Sequence, residues 1–73
     1  MDQKFVIRRY GKEELGRLYS PDVSPSRARH ILMEWIYRQP QLTEAMYRYG
    51  FDKNAKVFTP LQVRLIVEAL GEP

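Results

Sequence analysis

The stretch Ser24-Pro25-Ser26-Arg27-Ala28-Arg29-His30-Ile31-Leu32-Met33-Glu34-Trp35-Ile36-Tyr37-Arg38 decides how this 73-residue chain folds. Ala28, Ile31, Leu32, Trp35 and Ile36 recur at i, i+3, i+4, i+7 and i+8, the spacing of one apolar face on an α-helix. Ser24 can cap the free amides, and Pro25 fits the first helical position, where its missing N–H costs nothing. Pro40 cannot continue the helix, so it runs to about Arg38.

Working outward, Lys12 to Tyr19 places Leu15, Leu18 and Tyr19 at i, i+3 and i+4. This predicts a short helix, with Glu13 and Glu14 near its positive end. Gly16 weakens it, so packing must hold it in place. Before it, residues 4–10 alternate, Phe5, Ile7 and Arg9 facing one way and Val6, Arg8 and Tyr10 the other. Such a β-branched and aromatic run predicts a strand stopped by Gly11. After Pro40, Leu42, Ala45, Met46 and Tyr49 mark a third helix over about 40–49, capped by Gly50, and Phe51 folds back on its last turn. Asp52-Lys53-Asn54 is a polar turn and residues 55–58 a second short strand. Thr59-Pro60-Leu61-Gln62 carries capping-box spacing ahead of a final helix with Val63, Ile66, Val67 and Leu70 buried and Gly71 at its end. Neither short strand is stable alone, so residues 5–9 should pair with 55–58. The fold class expected is α+β and mostly helical, a single small domain over 1–73 in the order β-α-α-α-β-α, with winged-helix character.

Composition narrows the function. Hydrophobic residues make up 44% of the chain and charged residues 29%, enough apolar material for one core and too much for a disordered tail. No apolar run approaches the ~20 residues of a membrane span, and Met1-Asp2-Gln3-Lys4 lacks a signal-peptide layout, so a cytoplasmic protein is expected. Without cysteine there is no disulfide, thiolate metal site or thiol nucleophile. His30 is the one histidine, which excludes a two-histidine metal site within one chain. No glycine-rich phosphate loop occurs. Glu13 and Glu14 are helix neighbours pointing about 100° apart and do not form a working carboxylate pair. No enzyme, cofactor or metal is expected.

The net charge of +3 comes from twelve basic against nine acidic side chains, and the whole excess lies within residues 1–38. Most of the cations are arginine, which suits phosphates and guanine edges better than lysine does. A short helix, a turn and a second helix with cations in its first turns describe a helix-turn-helix reader of double-stranded DNA. On that reading Arg27 and Arg29 meet base edges or phosphates, with Ser26 and His30 as polar support. Arg8, Arg9, Lys12 and Arg17 contact backbone phosphates, and Lys53 and Lys56 form a wing touching a neighbouring one. A domain this small covers few base pairs, which favours a homodimer. The turn Ser20 to Ser24 is longer than usual for the motif, and Glu34 sits among the contacts. The alternative is a protein-interaction adaptor using Met33, Tyr37 and Tyr47, since exposed Tyr and Met are enriched at interfaces. Tyr19 and Tyr49 read instead as edges of the core, and Trp35 as part of it.

Three stretches together resemble a family of short bacterial proteins classed only as a domain of unknown function. They are Phe5-Val6-Ile7-Arg8-Arg9-Tyr10-Gly11-Lys12-Glu13-Glu14-Leu15, the Trp35-Ile36 pair leading to Pro40 and Leu42, and the tail from Phe58-Thr59-Pro60-Leu61-Gln62-Val63 to Gly71-Glu72-Pro73. The resemblance spans nearly the whole chain. It departs at Gln39, where the family pattern has a cysteine, so no redox or metal role carries over. More loosely, Glu14 to Leu18, Arg29 to Ile36 and Phe58 to Val63 are similar to the excisionase and mercury-regulator type of winged helix-turn-helix. That similarity implies a recognition helix followed by a wing, with the difference that a full helix over about 40–49 stands between them here.

Overall fold

The computed structural model describes residues 4–73, and the reading of the leader over Met1 to Gln3 lies outside them. The order is β1 (Tyr10–Gly11), α1 (Lys12–Tyr19), α2 (Pro25–Tyr37), α3 (Pro40–Arg48), β2 (Val57–Phe58) and α4 (Pro60–Leu70). Among the described residues this is a small α+β arrangement of four helices and two paired antiparallel strands. Among the described residues no helix is long and apolar enough to cross a membrane.

The caps act as their residues dictate. Ser24 Oγ accepts the Arg27 amide at 3.2 Å, and Pro25 opens α2. Thr59 Oγ1 accepts the Gln62 amide at 3.2 Å while Gln62 Oε1 accepts the Thr59 amide at 3.1 Å. Gln62 does more than cap: its buried Nε2 donates to the Tyr49 carbonyl at 3.1 Å, tying the start of α4 to the end of α3. Gln62→Leu keeps the volume but strips both partners, and should cost roughly 1–3 kcal/mol. A urea midpoint equal to that of the unchanged protein would refute the tie.

One core joins the elements. Leu15 of α1, Leu32 and Ile36 of α2, Leu42 and Met46 of α3, Val63 and Ile66 of α4, with Tyr10, Phe51 and Phe58, form a continuous buried cluster. Trp35 is only half-buried at its edge, with Tyr19 edge-on to it at 6.1 Å. Phe51 does fold back on α3: its amide donates to the Met46 carbonyl at 2.9 Å, and Tyr47 meets its ring edge-on at 5.2 Å. Gly50 makes that reversal at φ +84°, a conformation that favours glycine.

Three expectations need correction. The ladder pairs Tyr10 with Phe58 and Gly11 with Val57, so residues 5–9 are not a strand and Gly11 lies inside β1. The preceding chain curls instead: the Tyr10 hydroxyl donates to the Val6 carbonyl at 2.8 Å, and Phe5 stacks on the Tyr10 ring at 5.2 Å. With β2 only two residues long, the alternation upstream of Tyr10 finds no ladder to join. Leu18, on the apolar spacing expected of α1, and Tyr49, expected at the edge of the core, are 46% and 49% exposed. Leu18 lines a surface depression with Phe5, Val6 and Tyr10, and Tyr49 has left the helix as the C-cap of α3.

Gly16 has a different role from the one its helix propensity suggests. A Cβ on it would lie 2.7 Å from both the carbonyl carbon and oxygen of Ala28, and 2.9 Å from the Arg29 amide nitrogen. Gly16 therefore lets α1 and α2 cross with their backbones nearly touching.

Candidate nucleic-acid interface

The first turns of α2 hold the residues expected to read DNA. Ser26, Arg27, Arg29 and His30 are all exposed, whereas Ala28 between the two arginines is fully buried. Residues in a helix advance 100° each, so Arg27 and Arg29 leave α2 on opposite flanks of its buried line. The outward face between them carries Ser26, His30 and Glu34. His30 Nε2 sits 2.9 Å from Glu34 Oε1, and Arg38 lies 3.7 Å from the other oxygen of the same carboxylate. The i, i+4, i+8 spacing of His30, Glu34 and Arg38 could have revealed this ladder from the sequence.

The helix α3 docks on the far end of α2. Thr43 Oγ1 donates to the Ile36 carbonyl at 2.8 Å, and the Gln39 amide to the same carbonyl at 3.1 Å. It leaves the first turns of α2 uncovered.

The other cations expected at phosphates divide into three groups. Arg8 is turned onto its own chain, with Nη2 donating to Glu14 Oε2 at 3.0 Å and the guanidinium 3.7 Å from the centre of the Tyr10 ring. Arg8 and then the Gly11 amide hold the Glu14 carboxyl below its ordinary range. Lys12 was expected at a phosphate, but it is 2% exposed. Its ammonium donates to the carbonyls of Asp52 at 2.9 Å and Lys53 at 3.2 Å, over the rings of Phe51 and Phe58. Burial first, and then the nearby charge of Arg29, push its pKa down, against an opposing pull from Asp52. Lys12 therefore leaves the set of direct contacts. Arg9, Arg17, Lys53 and Lys56 remain exposed. Among the described residues, no acid lies within 4.0 Å of these four or of Arg27 and Arg29.

Tertiary structure brings two of these cations together from distant places. Arg29 of α2 and Lys56, just before β2, line one shallow depression with Gly11, Glu13 and Glu14. Lys53 lies in the polar turn, held by the Asn54 amide on Asp52 Oδ1 at 2.8 Å. The turn lies between α3 and β2 and does not join the two strands as a hairpin, because β1 precedes the three helices and β2 follows them.

The alternative surface is partly assembled. Tyr37 and Tyr47 are 45% and 50% exposed, while Met33 is half-buried against the core. Partial burial and then the Tyr47 hydroxyl push the Tyr37 hydroxyl above its ordinary value.

The family model described as "Domain of unknown function (DUF4248)" matches residues 6–73. The chain belongs to the DUF4248 family. No curated protein and no solved structure gives a significant match to it. For this DUF4248 domain, membership accords with the resemblance seen in the Phe5–Leu15 and Phe58–Pro73 stretches, and it brings no activity with it.

Proposed function

We propose that this DUF4248 domain binds double-stranded DNA as an accessory or regulatory protein, with helix-turn-helix geometry from α1 and α2 and mainly phosphate contacts. The observation that carries the reading is the pair Arg27 and Arg29, exposed on opposite flanks of an uncovered helix start, with no acid within 4.0 Å of either among the described residues. A helix with its side chains is about 10–12 Å across, and the major groove is about 12 Å wide. A helix laid in that groove with its outward face inward brings each flank to one phosphate strand. Arg27 then serves one strand and Arg29 the other, while Ser26 faces the bases. His30 is tied to Glu34, which leaves little free polar hardware for base readout. Affinity on this reading is chiefly electrostatic, with modest sequence preference.

The test is fluorescence anisotropy of a labelled mixed-sequence duplex from ~50 to ~200 mM salt. Binding should weaken steeply with salt. Arg27→Ala combined with Arg29→Ala should flatten the slope by at least roughly 0.9, the share of the phosphate on the Arg27 flank. Tyr37→Ala should leave binding unchanged. Absence of binding at the lowest salt would refute the proposal.

A second reading is a protein-interaction adaptor, favoured by the exposure of Tyr37 and Tyr47. It predicts the reverse pattern: Tyr37→Ala weakens capture of a partner or a second copy, and the arginine changes do not.

A further inference from the structure

We infer that Arg29 and Lys56 hold one and the same backbone phosphate, in the depression they line with Gly11; this rests on the DNA reading above. The two side chains stand 27 positions apart in sequence and meet in one concavity. Neither has an acid within 4.0 Å among the described residues. Their charges are reinforced from below. The ammonium of Lys12, next in sequence to Gly11, is buried with carbonyls and aromatic faces around it and, among the described residues, no carboxylate within 4.0 Å. Charge in a low-dielectric interior is poorly screened, so this buried cation adds to the positive field in the depression. Its depressed pKa, caused in part by Arg29, reports the same proximity.

Two carboxylates also line the concavity, and they are not equivalent. Glu14 is already engaged by Arg8 and by the Gly11 amide at 3.1 Å. Glu13 has no cation within 4.0 Å among the described residues. Set against Arg29, Lys56 and Lys12, it leaves the depression with an uncompensated positive charge that a phosphate oxyanion would neutralise. Arginine supplies a planar fork for two phosphate oxygens and lysine a point charge, so the two can serve one phosphate from different sides. Gly11 presents no side chain to obstruct the approach, and Glu13 acts as a brake on affinity.

The arrangement is tested by the salt dependence of duplex binding for Arg29→Ala, Lys56→Ala, the double variant and Glu13→Gln, each confirmed folded by circular dichroism. One shared phosphate predicts that either single change weakens binding but hardly alters the slope. Only the double variant should lose about 0.9 of it. Glu13→Gln should bind several-fold more tightly at ~50 mM salt. The inference is overturned if each single change lowers the slope by about 0.9 and the double by about 1.8, since the cations would then serve separate phosphates. It is equally overturned if Lys56→Ala binds like the unchanged protein, an outcome that leaves the DNA reading standing. If the unchanged protein does not bind duplex at all, both fall together.

Discussion

Replacing Gly16 by alanine should lower the melting temperature by about 8–16 °C, although alanine is the better helix former. Alanine in place of glycine within a helix gains about 1 kcal/mol from propensity. Against this stands a methyl group placed 2.7 Å from the Ala28 carbonyl carbon and oxygen, backbone atoms that no rotamer change can move aside. The helices must separate, and overpacking of this kind costs typically 1–3 kcal/mol and sometimes more. The contact is the central crossing of α1 and α2, so separating them also loosens Leu15 and Leu32 behind it. We expect a net loss of about 2 kcal/mol, which for a domain of this size corresponds to the stated shift. Gly16→Val should cost more, because the branched side chain adds bulk where one carbon already overlaps. Thermal denaturation followed at the helical circular-dichroism band reads the effect. A Gly16→Ala protein melting at or above the original temperature would show that the helices do not touch there.

Lys12→Ala should destabilise the domain by on the order of 2–4 kcal/mol, an unusual cost for a lysine. Its methylene stem lies within the core, and its ammonium ties the turn at Asp52 and Lys53 to the first turn of α1. Truncation leaves a cavity under Phe51 and Phe58 and releases the turn. Lys12→Met keeps most of the volume and removes the buried charge, so its loss should be much smaller. The pair of variants separates packing from charge. The pH dependence has a definite sign. The folded-state pKa of Lys12 is depressed below that of the unfolded chain, near about 10.4. Below the folded value both states carry the proton, and the folded state bears the full cost of burying it. As pH rises through the folded value toward about 10.4, the folded state releases its proton first, and stability rises relative to a variant without the group. Urea midpoints of the original protein and Lys12→Met, compared from pH 7 to ~10.4, should therefore shift in favour of the lysine. A constant difference across that range would mean that the ammonium is not held in a desolvated place.

Both effects arise at positions that local sequence describes poorly. Gly16 reads as a weak point in a short helix, and Lys12 as one more surface cation. Each has its role because of what lies opposite: the Ala28 backbone for one, the turn at residues 52–53 for the other. The same holds for the depression that joins Arg29 to Lys56. Nothing within a few residues of either predicts that the other will be near. The strand over residues 5–9 fails for a related reason. Alternation reports that a segment suits a pleated surface, but a ladder also needs a partner of matching length.

What the sequence by itself determined is whatever is decided within one or two helical turns. The spacing of Ala28, Leu32 and Ile36 sets the buried line of α2. Ser24-Pro25 and Thr59-Pro60-Leu61-Gln62 set where two helices begin, and Gly50 and Gly71 mark where two end. From these follow the order of elements and the mostly helical α+β class. The exposure of Arg27 and Arg29 follows too, because both flank a position that must be apolar. Only the tertiary structure decided which cations are available. It turned Arg8 onto Glu14, sank Lys12 beneath Phe51 and Phe58, and docked α3 on the far end of α2 so that the first turns stayed open. The reason is one of range. Caps and periodicity act between near neighbours and leave their mark on composition, whereas charge pairing and burial depend on groups up to about forty residues distant, whose approach exists only once the core has closed.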